Sequence, residues 1–174
     1  MKISFFSNSD SSFFEDKQLN ERIYWVLLSL VIVFVGVIRF RLLDFPLERD
    51  EGEYAYMGQL MLQGIPPYKF AYNMKLPGTY AMYAFMMGIF GESTRGVHLG
   101  FLSFNLITIG ILFLFIKRLC NPFVALVSAA AYGVYSLNPY VLGFAAHATH
   151  FVLFWSLLGA YLLLVATEKS SKFL

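Results

Sequence analysis

Four apolar runs, 23–43, 96–116, 123–143 and 151–166, dominate this chain and restrict what it can become. A bilayer core takes roughly 20 apolar residues in helical form, so each run is read as a membrane span. Composition agrees: of 174 residues 58% are hydrophobic and 14% charged, against about 25% charged in a typical soluble domain. The expected class is an all-α integral membrane protein with about four transmembrane helices. The formal net charge is only +2 and points to no nucleic-acid partner, and the single cysteine, Cys120, excludes an internal disulfide. Residues 1–22 are polar and serine-rich and read as a cytoplasmic tail, with no small-residue cleavage site behind the first apolar run. Residues 168–174 read as a short cytoplasmic end.

Between the first two spans lies a long loop, 44–95, expected to carry juxtamembrane helices. Its start is acidic, with Glu48, Asp50, Glu51 and Glu53, and Lys75 stands alone in an apolar stretch. Charges beside hydrocarbon are costly, so such a loop is either solvated surface or a site. Asp50 followed by Glu53 resembles a capping box and predicts a helix over 50–63, ended by Gly64 and Pro66-Pro67. On that spacing Asp50 is either a plain N-cap or a functional acid. The run 77–90 is too short to span and predicts a re-entrant or interfacial helix. Positive residues favour the cytoplasmic side. With Lys17 and Arg22 inside, Lys117-Arg118 and Lys169 to Lys172 also fall inside, provided that 77–90 does not cross. Loop 44–95 and the turn around His147 and His150 then face outward. Arg39 and Arg41 are expected to snorkel at the end of the first span, the alternative being that one of them turns to the site.

His147 and His150 are three residues apart and share a face if helical. They read either as interface hydrogen-bonders or, with a nearby carboxylate, as ligands of a divalent cation, Mg or Mn. Tyr54, Tyr68 and Tyr72 read as interface anchors or as the lining of a sugar pocket.

The order of features resembles the start of the GT-C membrane glycosyltransferases, of the protein O-mannosyltransferase and aminoarabinose-transferase type. It comprises a first span, the acidic pair Asp50-Glu51, and a helix with Tyr54-Ala55 and Met61-Leu62-Gln63-Gly64. Lys75 then precedes Pro77, a short apolar helix ends in Phe90-Gly91, and Arg95 follows. The resemblance implies a catalytic acid at Asp50 with Glu51 beside it, and a donor-phosphate role for Lys75, to which Arg49 is added as a neighbouring cation. The family's Lys-Pro-Pro-Leu stands here as Lys75-Leu76-Pro77-Gly78. Where the family often has a second outer acid, this chain has only His147 and His150. The implied activity is transfer of a sugar from a polyprenyl-phosphate carrier to a lipid, glycan or protein hydroxyl. It implies a multi-pass protein of the cell membrane whose site faces the periplasm or exterior. Members of that family are several times longer, so the stretch 23–167 is expected to be the N-terminal part of such a domain. A non-catalytic membrane subunit and a transporter fragment are the alternatives, although a transporter gathers its charges within spans.

Overall fold

The computed structural model describes residues 21–170, so the expected tail lies almost wholly outside the described residues. Among these the chain is helical: α1 Glu21–Arg41, α2 Arg49–Leu62, α3 Pro77–Phe90, α4 Thr94–Leu119, α5 Pro122–Tyr135, a 3-10 turn Pro139–Val141, and α6 Ala148–Ser170. By length and composition α1, α4 and residues Ala148–Lys169 of α6 can each cross a membrane, and α5 is a shorter apolar helix. The protein is thus an all-α membrane protein.

Ion pairs fix how the helices run. Lys117, near the end of α4, pairs with Glu21 at the start of α1, and its neighbour Arg118 pairs with Glu168 near the end of α6. At the opposite end Arg39, near the end of α1, bonds to Asn105 of α4 and to the backbone that follows α5. α1 and α5 therefore run one way through the bundle, and α4 and α6 run the other. α5 has only 14 residues, about 21 Å of helix, yet it starts directly behind α4 and finishes beside Arg39. The expected continuation of this span to about Gly143 does not occur. After Tyr135 the chain breaks into the Asn138–Pro139 turn, where the Asn138 side chain accepts from the Tyr140 N–H. α6 in turn begins three residues earlier than expected.

Without water to expel, helices in a bilayer associate by close packing of small residues. α5 buries Ala125, Ala129 and Gly133, an every-fourth-residue stripe against Val35 and Val31 of α1 and Ile109 of α4 at Gly133. Large apolar side chains such as Val33, Phe34, Val127, Leu162 and Leu163 are left exposed, as suits surfaces facing lipid.

α3 was expected over 77–90 and forms there. It stays at the Arg39 end: its Met86 packs against Gly100, its Phe85 ring against Phe104, and its Tyr83 ring against Phe151 at the start of α6. α2 lies along α3, where Gly58 faces Tyr83, Ala84 and Met87. Tyr54, Met57, Tyr80, Tyr83, Met86, Val97, Phe101 and Phe151 form the core beneath the site.

Candidate functional site

The first turn of α2 sorts the acidic cluster. Glu48, not Asp50, is the N-cap: its carboxylate accepts from the Asp50 N–H at 2.8 Å, and Glu51 Oε2 accepts from the Glu48 N–H at 2.9 Å. The capping box is therefore Glu48/Glu51, two residues upstream of the expected Asp50/Glu53 pair. Glu48 stands one residue before α2, so its carboxylate reaches forward to the open amides of the first turn. Asp50 is thereby released from capping.

Glu51 points inward and is 1% exposed. Its Oε1 accepts from the Ala146 N–H at 2.6 Å and lies 3.5 Å from His98 Nε2. His98 Nδ1 lies 3.0 Å from the Leu43 carbonyl, which can only accept, so this nitrogen is the donor. Burial pushes the Glu51 carboxyl up, but His98 and the Ala146 and Glu48 amides outweigh it and hold the group below its ordinary value. Tyr83 completes the grip on Ala146, its hydroxyl donating to that residue's carbonyl at 2.8 Å.

Asp50 lies at the open side, with its side chain 23% exposed. Oδ1 accepts from Arg49 Nη2 at 3.1 Å, and Oδ2 lies 3.7 Å from His147 Nε2. His147 Nδ1 is 3.3 Å from Thr149 Oγ1. The Arg49 side chain is 89% exposed. The two histidines do not share a helical face: His147 precedes α6 and turns to Asp50, whereas His150, in its first turn, meets the Phe101 ring edge-on with ring centroids 4.9 Å apart. Asp50 and His147 are donors of the type a divalent ion takes. Among the described residues, however, no group of three or more His, Cys, Asp and Glu side chains could hold one.

A run of tyrosines connects this pair to Lys75. The Tyr54 ring is 6.4 Å from the His147 ring and 6.1 Å from that of Tyr80. Tyr80 and Tyr68 hydroxyls both donate to the Lys75 carbonyl, at 3.3 and 2.5 Å. Tyr68 has φ +69°, a conformation uncommon for an aromatic residue, and it curls the 66–76 loop so that its hydroxyl meets that carbonyl. Lys75 itself is exposed, as are Tyr68 and Tyr72. Tyr54 is fully buried, and its hydroxyl has no hydrogen-bond partner among the described residues.

His98 and the Ala146 amide were not singled out from sequence as parts of this site, and for Arg39 a turn toward the site was only the alternative to snorkelling. His98 and Asn105 lie inside the apolar run 96–116 with no motif around them, and a backbone amide leaves no mark in a sequence.

The family model described as dolichyl-phosphate-mannose-protein mannosyltransferase matches residues 75–174, more than half of the chain. The matched stretch begins at Lys75 and takes in His147 and His150, while Asp50, Glu51 and Tyr54 precede it. No curated protein and no solved structure gives a match.

Proposed function

The chain belongs to the dolichyl-phosphate-mannose-protein mannosyltransferase family, whose members are glycosyltransferases of the GT-C type, and we propose that it moves a sugar from a polyprenyl-phosphate carrier to an acceptor hydroxyl, with Asp50 as the base. The observation that carries this reading is the state of Asp50: relieved of capping by Glu48, partly open, and faced by His147 from the connection between α5 and α6. In the reaction the acceptor oxygen attacks C1 of the sugar as Asp50 takes its proton. The C1–oxygen bond to the phosphate breaks, and polyprenyl phosphate leaves with the electron pair. A single displacement inverts C1. Base catalysis of this kind contributes about 10²–10⁴-fold.

Lys75, and Arg49 once it swings from Asp50, supply positive charge to the departing phosphate. Glu51 is a positioning residue, since its carboxylate is occupied by the Ala146 amide and His98. The end of the bundle that carries Asp50 and Lys75 is assigned to the outer face, because Lys117, Arg118 and Lys169 gather at the other. Two of the positive residues at the outer end are accounted for locally: Arg39 is buried in hydrogen bonds, and Arg95 Nε lies 4.0 Å from Asp44.

Binding of a polyprenyl-phosphate sugar to the chain in nanodiscs tests the donor. Lys75→Ala is expected to weaken binding about tenfold or more, and Lys75→Arg to retain part of it, because the charge survives while its geometry changes. Equal affinities for the three proteins would remove Lys75 from the site.

A further inference from the structure

Arg39 sits where a span-end arginine ordinarily extends to water, and Arg41, two residues on, is exposed. Arg39 instead is 5% exposed and has no carboxylate within ion-pair distance among the described residues. A buried cation of this kind persists only where hydrogen bonds replace its water. Nε donates to Asn105 Oδ1 at 3.0 Å, Nη1 to the Phe144 carbonyl at 3.2 Å, and Nη2 to the carbonyls of Ser136 and Gly143 at 2.5 and 2.8 Å. The Phe101 ring lies 4.4 Å below the guanidinium carbon.

Three of these four acceptors are backbone carbonyls of one segment, the connection from α5 to α6. Apart from its short 3-10 turn this segment has little regular structure, and it folds back tightly enough that a Cβ on Gly143 would come within 2.5 Å of the Tyr135 carbonyl oxygen. Just beyond the gripped carbonyls come Ala146, whose amide meets Glu51, and His147, which faces Asp50. A planar guanidinium can satisfy acceptors on several sides at once, and an ammonium on a flexible stem cannot reproduce that fork.

We propose that Arg39 is a positioning residue for the transfer reaction: it ties the 136–147 connection to α1 and α4, and so sets His147 against Asp50. The catalytic consequence rests on the reading of Asp50 given above, whereas the tie itself does not.

The test is hydrogen–deuterium exchange on the full chain in nanodiscs, with turnover measured alongside. Arg39→Gln is expected to speed exchange in 136–147 about tenfold or more while amides in the middle of α1 and α4 keep theirs. Arg39→Lys should fall between it and wild type. In Arg39→Ala, added methylguanidinium should restore protection and methylammonium should not, a distinction that a merely space-filling role does not produce. Turnover should fall about tenfold with the donor KM changed less than twofold. Unchanged exchange in 136–147, or an equal rise throughout the bundle in both Arg39→Gln and Arg39→Lys, overturns the proposal. If 136–147 loosens as expected but wild type transfers no sugar, the tie stands and the reading of Asp50 fails.

Discussion

At the residue scale, neighbours in sequence receive opposite environments. Asp50 and Glu51 read as one acidic pair, yet one carboxylate is at the open side and the other is interior. Helical periodicity accounts for the difference. Glu51 lies on the stripe of Tyr54, Ala55 and Gly58, which α2 turns toward the core. The same reasoning finds Arg39: Tyr24, Leu28 and Val35 are the buried members of α1, and Arg39 continues their line, while Arg41 falls on another face. The expectation of a snorkelling Arg39 came from its place near the span's end, without that wheel. Glu51 also gives a pH prediction. Its carboxyl is held below the ordinary value in the folded protein, so its contribution is present above that ordinary value, about 4.5, and is lost as pH falls through the lower folded one. Glu51→Gln is expected to cost about 1–3 kcal/mol at neutral pH. In detergent, thermal unfolding should show the gap between wild type and Glu51→Gln narrowing as pH falls below about 4.5. A gap that stays constant down to pH ~3 would contradict this role.

At the element scale, the short helix α3 was legible from its length and flanking Pro and Gly, and its bounds came out as read. The end of α5 was not: apolar residues continue past Tyr135, and the break follows from Asn138–Pro139 together with the carbonyls that Arg39 gathers. The helix start at Arg49 was missed because two acidic pairs with capping-box spacing overlap, and only contact geometry chooses between them. The α2–α3 contact has no slack. A Cβ on Gly58 would come within 2.9 Å of the Ala84 backbone nitrogen and 2.8 Å of Met87 Cε. Gly58→Val is therefore expected to destabilise the protein by about 1–3 kcal/mol through overpacking. Its melting temperature in detergent should drop, and an unchanged value would show that α2 and α3 can separate freely.

At the scale of the whole molecule, the pairs Lys117–Glu21 and Arg118–Glu168 gather three helix ends at one face of the bundle, and Asp50, His147 and the Lys75 loop stand at the other. The all-helical membrane class was legible from run length and composition alone, and family membership was legible from the order of features along the chain. The pairing of distant segments, His98 with Glu51 and Ala146 with Glu51, was not, because each joins residues that no local pattern relates. The proposed orientation predicts that Cys120, the one cysteine and an exposed one, is labelled by an impermeant maleimide only after the membrane is opened. Labelling of intact cells would reverse the assignment of the faces. The central claim, that Asp50 is the base of a sugar transfer from polyprenyl phosphate, is tested most directly by following release of polyprenyl phosphate and inversion at C1 in membranes carrying wild type or Asp50→Asn. The account predicts that Asp50→Asn binds the donor with wild-type affinity and melts within a few degrees of wild type, but transfers about 10²-fold more slowly or not at all. Transfer by Asp50→Asn at the wild-type rate would contradict it.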